Sequence, residues 1–139
     1  MARQLKHILC ATDGTEHSDS AVDFASSLAK AMSARVTFLA VKPYLLGRGG
    51  PIPIWDPKLA AMALDRARST AAVAGVDDVH AAEAAAADVA DAIVSVANDH
   101  KVDHIVVGSG SKNAMQRAFV GSVSSDVVHR AHCPVTVVH

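Results

Sequence analysis

Residues 105–125 read Ile-Val-Val-Gly-Ser-Gly-Ser-Lys-Asn-Ala-Met-Gln-Arg-Ala-Phe-Val-Gly-Ser-Val-Ser-Ser. An apolar strand, Ile105 to Val107, runs into Gly108-Ser109-Gly110-Ser111. A polar segment with Lys112 and Arg117 follows, and Gly121-Ser122 then opens a helix whose apolar residues are Val123, Val127, Val128 and Ala131. Glycines allow a ligand to approach the backbone closely, and the first N–H groups of a helix have no intrahelical acceptor. A strand, a glycine-rich turn and a helix start in this order predict an anion site at the edge of a parallel sheet.

The flanking sequence supplies the sheet. His7 to Ala11 is a short buried strand, followed by the turn and capping cluster Thr12-Asp13-Gly14-Thr15-Glu16-His17-Ser18. A helix is expected from about Asp19 to Met32, with Val22, Ala25, Leu28, Ala29 and Met32 on its inner stripe. Arg35 to Val41 is a second, β-branched strand. Pro43 to Pro57 holds four prolines and three glycines, which argues against any regular element there. This segment reads either as a lid or as a variable crossover. It carries Tyr44 and Trp55, the only residues of their types. Asp56 or Pro57 starts the next helix, and Gly75 ends it. Val79 to Glu83 is a weak third strand in an alanine-rich region that is ambiguous between strand and helix. Asp88 caps a helix with Val89, Ile93, Val96 and Ala97 inward, Asp103 to Val107 is the fourth strand, and Val135 to Val138 the fifth. Such alternation predicts one α/β domain over residues 1–139, an open five-stranded parallel sheet with helices on both faces. Ligands bind such sheets beyond the carboxyl ends of the strands. Asp13, Val41 and Gly108 lie at three such ends and are read as one site.

Composition narrows the function. Half of the 139 residues are hydrophobic and only 4% aromatic, so the core is built from Ala, Val, Ile and Leu. A net charge of −1 argues against nucleic-acid or membrane partners held by bulk electrostatics. Met1 to Lys6 leads straight into a strand, and no apolar run approaches the ~18 residues of a membrane span. Cys10 and Cys133 read as small buried hydrophobes, and the expected setting is cytoplasmic. His129, His132 and Cys133 cluster at a helix end, where histidine complements the dipole. No second ligand pair joins them, so no metal site is expected.

The chain resembles the universal stress protein family. The resemblance rests on Ile8 to Ser18, on Asp103 to Ser109, on Val120-Gly121-Ser122-Val123-Ser124, and on His132-Cys133-Pro134 with the apolar residues after it. It implies a Rossmann-like fold akin to the adenine nucleotide alpha hydrolases, with strand order 3-2-1-4-5. The family's ATP-binding branch carries Gly, two residues, Gly, nine residues, then Gly-Ser or Gly-Thr. Here Gly108 and Gly121-Ser122 match that frame. Ser111 replaces the middle glycine, and Gly110 sits one place earlier. A serine there still offers an N–H and a hydroxyl, provided the backbone needs no positive φ.

By the same resemblance, Asp13 approaches the ribose or adenine. Val41 packs on the base or bonds it through its backbone. Gly108, Ser111, Gly121, Ser122 and Val123 line the ribose and phosphates. The implied ligand is ATP or AMP, with magnesium accompanying ATP, and the implied assembly is a homodimer through Val135–Val138. For Asp13 the ligand role is favoured over a turn cap, and for Lys112 and Arg117 a solvated loop face over specific ligands. The expected function is a non-enzymatic, nucleotide-binding, dimeric stress-response module. The alternative is a ligand-free interaction module, favoured by Ser111. Neither a Walker sequence nor a nucleotidyl-transfer loop occurs.

Overall fold

The computed structural model describes residues 4–54, 56–110 and 122–139. Its elements are β1 (His7–Ala11), α1 (Glu16–Met32), β2 (Arg35–Gly47), β3 (Gly50–Pro53), α2 (Pro57–Ala74), β4 (Val79–Ala86), α3 (Val89–Asp99), β5 (His104–Gly108), α4 (Ser122–Arg130) and β6 (Val135–Val138). β1 pairs in parallel with both β2 and β5. β2 pairs in parallel with β4, and β5 with β6. The chain therefore winds outward from β1 in two directions, and the order reverses between β1 and β5. The parallel sheet expected from the sequence is present. Its five strands keep the expected order, as β4-β2-β1-β5-β6, and a sixth strand, β3, is added antiparallel to the far end of β2.

Alternation along each strand divides the core. Ile8 and Cys10 of β1, Val36 and Phe38 of β2 and Val106 of β5 face α1 and α2. Leu9, Leu39, Val41, Ile105 and Val107 face α3 and α4. With both faces covered, the strands read as near-continuous apolar runs. The helices meet the sheet through small residues, Ala21, Ala25 and Ala29 on α1 and Ala60, Ala63, Ala67 and Ala71 on α2. Burial pushes the Cys10 thiol far above its ordinary pKa, so it packs as a small hydrophobe.

Caps set the helix ends. Asp56 accepts from the N–H of Lys58 to start α2, and Gly75, at φ 86°, closes it. Asp88 accepts from the N–H of Asp91 to start α3. α1 begins at Glu16, three residues before the expected Asp19, because the Thr15 hydroxyl accepts from Ser18 N–H. On α4 the inward residues are Ser124 and Val127, whereas Val123 and Val128 are exposed. Of the apolar residues read on this helix, Val127 is buried and Ala131 packs against the same core.

The larger correction concerns residues 43–57. β2 continues to Gly47, turns through Arg48-Gly49 and returns antiparallel as β3. Prolines do not prevent this because of where their nitrogens point. Ile54 N–H donates to Pro43 O, so residues 50, 52 and 54 face β2. Pro51 and Pro53 alternate with them and face outward, where a missing N–H costs no ladder bond.

At the amino ends of the strands two side-chain clasps repeat. His7 Nε2 lies 2.7 Å from Thr37 Oγ1, joining β1 to β2, and His104 Nε2 lies 2.7 Å from Thr136 Oγ1, joining β5 to β6. His104 Nδ1 is buried with no hydrogen-bond partner among the described residues. Burial lowers the pKa of both rings, reinforced for His7 by the nearby Arg35 charge. A histidine with a lowered folded pKa makes the unfolded chain bind more protons, so its contribution is present above the unfolded pKa of ~6.5 and is lost as pH falls below it. The denaturation midpoint is therefore expected to decline between pH 7 and pH 5. A His7→Gln/His104→Gln double variant should show a flatter slope over that window in urea titrations followed by circular dichroism.

Candidate functional site

The carboxyl ends of β1, β2 and β5 surround a cleft of about 510 Å³, within the ~300–1,000 Å³ range of small-molecule sites. It lies where the strand order reverses, the position at which open α/β sheets place ligands. One wall is apolar, formed by Leu39, Val41, Val89, Ile93 and Val107. The opposite wall carries Thr12, Asp13, Thr15, Ser18, Ser109 and Ser122. A ligand with one flat apolar end and one polar or charged end matches this division.

The polar wall is built from the turn after β1. Thr12 N–H donates to Leu39 O at 2.9 Å, which carries the sheet one residue past β1. The buried Thr12 and Ser18 hydroxyls lie 3.1 Å apart, and Ser18 Oγ also accepts from Asp13 N–H. Gly14 takes φ 80°, and a side chain there would meet Ala63 of α2. From α2, Arg66 donates to Gly14 O at 3.0 Å and pairs with the Asp19 carboxylate. Asp13 is exposed, and its Oδ1 accepts from both the N–H and the hydroxyl of Thr15. Both readings of Asp13 thus have a structural basis: it caps the turn and it lines the cleft.

Gly108 decides how this wall meets β5. A Cβ at Gly108 would lie 2.6 Å from the carbonyl oxygen of His17 and 3.0 Å from its carbon. Both are backbone atoms of the first turn of α1, which cannot swing aside as a side chain can. Across the same strand end, Ser124 Oγ donates to Gly108 O and ties α4 down. The first turns of α1 and α4 thereby both border the cleft, through Thr15 and Ser18 on one side and Ser122, Val123 and Ser124 on the other. Each helix start contributes partial positive charge without a cationic side chain. Among the described lining residues there is no lysine or arginine.

On the apolar wall the backbone of Val41 matters as much as its side chain. Leu39 faces β1, as its bond from Thr12 shows, and peptide groups alternate along a strand. The N–H and C=O of Val41 therefore face the same way, beyond the end of β1, where no described residue bonds them.

Of the residues expected from the sequence, Asp13, Val41, Gly108, Ser122 and Val123 come together around this cleft. Ser111 and Gly121 lie outside the described residues, as do Lys112, Arg117 and Trp55. Gly110, next to Ser111, adopts φ 77°. Sequence reasoning missed Thr12, Thr15 and Ser18 as wall residues, although all three stood in the capping cluster. It also missed Pro43 and Ile54, which close the rim from the β2–β3 hairpin. Their place could be read only once the hairpin was known.

A doubly wound parallel sheet with a two-sided cleft at its switch point defines a class of α/β folds. Within that class, the chain belongs to the universal stress protein family, which it matches over residues 4–139. A solved universal stress protein in complex with cAMP is 28% identical, with a TM-score of 0.77 over 99% of this chain and 98% of that one. The universal stress protein of Archaeoglobus fulgidus in complex with dAMP is 21% identical, with a TM-score of 0.72 over 97% and 98% of the two chains. A curated universal stress protein of Methanocaldococcus jannaschii is 45% identical over 49 residues, 35% of this chain and 29% of its own length. The matched stretch therefore spans less than a third of that relative.

Gly108→Ala is expected to lower stability by about 1–3 kcal/mol, the usual range for overpacking against groups that cannot move. Urea denaturation checks the loss, and the unstrained Ser109→Ala variant provides the comparison.

Proposed function

We propose that the cleft binds an adenine nucleotide and that the protein acts as a non-catalytic, dimeric stress-response module. The observation that carries this reading is the pairing of a free peptide edge at Val41 with two helix starts across the same cleft. Adenine needs one donor and one acceptor in its own plane, which the Val41 peptide groups supply beside the apolar wall. Phosphate needs N–H donors and positive potential, which the first turns of α1 and α4 supply. Asp13 keeps one carboxylate oxygen free of the Thr15 bonds, available to a ribose hydroxyl or to magnesium held by a triphosphate. The likeness to a protein crystallised with cAMP supports the same ligand class.

A non-catalytic role is supported by the cleft chemistry. Among the described lining residues, Asp13 is the only carboxylate, and it is engaged by Thr15. The proposed dimer forms through β6, which lies at the edge of the sheet and is half-buried along its length. Cys10 is a buried free thiol, in keeping with a cytoplasmic setting.

Isothermal titration with ATP, AMP and cyclic AMP tests the ligand. Absence of heat with all three at high micromolar protein overturns the nucleotide reading. AMP should bind more tightly than adenosine by about threefold to thirtyfold, the worth of two helix termini at ~0.3–1 kcal/mol each, and the gap should narrow as salt is raised. Asp13→Ala should weaken AMP binding by about tenfold. A Val137→Asp variant is expected to run as a monomer by size-exclusion chromatography with light scattering. The alternative, a ligand-free interaction module, is favoured by Ser111 in place of the family's middle glycine. Mass spectrometry of denatured protein decides between them by the presence or absence of a nucleotide carried through purification.

A further inference from the structure

The β2–β3 hairpin extends past the rest of the sheet. β1 pairs with β2 only as far as Leu39, and β4 only as far as Pro43. Residues 44–47 and 50–53 therefore have only each other as strand neighbours. In an antiparallel pair, directly opposed residues share a face, so Leu45 and Ile52 lie on one side and Leu46 and Pro51 on the other. Exposure is 60% at Leu45, 77% at Leu46, 53% at Ile52 and 59% at Ile54. A solvated sheet normally keeps one face polar. This hairpin is apolar on both.

Its charge is one-sided as well. No Asp or Glu occurs between Lys42 and Ile54, while Lys42 and Arg48 lie within the hairpin and Lys58 follows at the start of α2. The nearest acid, Asp56, is committed to capping α2. Among the described residues no ion pair engages Lys42, Arg48 or Lys58. The hairpin is thus a local cationic patch on a chain of net charge −1.

We propose that this hairpin docks the protein on an anionic lipid surface. An added β-strand is disfavoured along β3, because Pro51 and Pro53 occupy its outward positions and leave no N–H there to donate. A second copy packing on one face would leave the opposite apolar face in water. The headgroup–acyl boundary receives both faces at once, and anionic headgroups take the cations. Tyr44, at the base of the hairpin, is of the type enriched at that boundary. With the whole chain near neutrality, the attraction is local and sensitive to salt.

This inference does not depend on what fills the cleft, and its test uses the full chain without added nucleotide. Co-sedimentation is measured with vesicles of phosphatidylcholine alone and with about 30 mol% phosphatidylserine. Binding is expected to the anionic vesicles only, with a blue shift of the emission of Trp55, the single tryptophan. Arg48→Glu should weaken it about 25-fold, two charge units at about fivefold each. A Leu46→Asp/Ile52→Asp variant, changed only at exposed positions and checked for unaltered circular dichroism, should lose at least ~tenfold. Failure of the native chain to bind anionic vesicles overturns the proposal, as does binding that both variants leave unchanged. Loss of self-association in the variants, without vesicle binding by the native chain, assigns the face to a second copy instead.

Discussion

The first turn of α1 lies so close to the end of β5 that residue 108 has no room for a side chain. The contact joins two segments far apart in sequence and sets how closely α1 sits against the end of β5. Ser124 anchors α4 to the carbonyl of the same glycine. One residue thereby sets the spacing of two helix starts. If α1 stood further off, its N–H groups would face solvent. A wider gap would also leave Thr12 and Ser18, whose hydroxyls are buried and bonded to each other, open to water.

The rest of the cleft follows from where the strands end. β1 stops pairing two residues before β2 runs past it, so β2 presents peptide groups with no neighbour at Val41. Side chains of the α3-facing core, Leu39, Val107 and Ile93, continue unbroken into the apolar wall. The apolar wall of the cleft is therefore the upper edge of the core. Polarity enters from the β1–α1 turn, which Arg66 holds from outside through Gly14 and Asp19, and from Ser109, Ser122 and Ser124 across the cleft. Fold stability and site geometry share these residues, so a substitution at either Gly14 or Gly108 touches both.

Much of this was legible in the sequence for identifiable reasons. The helices announce themselves through caps at Asp56 and Asp88 and a stop at Gly75, and the buried strands through unbroken apolar runs. Asp13, Val41 and Gly108 were placed together because carboxyl ends of parallel strands must share one edge. The misreadings have equally definite causes. Proline and glycine content hid β3, since proline forbids a ladder bond only where its nitrogen faces the partner strand. The burial of Ser124 on α4 was not legible, because its hydrogen bond to Gly108, not hydrophobicity, takes it inward. Alanines at 81–87 carry no periodic signal, and only pairing with β2 makes that region a strand.

The two His–Thr clasps lie at the end of the sheet away from the cleft. Side chains bridge adjacent strands there, and the Asp103 carboxylate adds bonds from the Lys6 and His7 amides. The upper end has no comparable strand-to-strand clasp among the described residues. The molecule is therefore laced at its floor and unlaced at its rim, so thermal opening should begin at the rim and spread downward. A guest that bridges β1, β2 and β5 from above would act as the missing lace, coupling occupancy to the slow exchange of amides deep in the sheet.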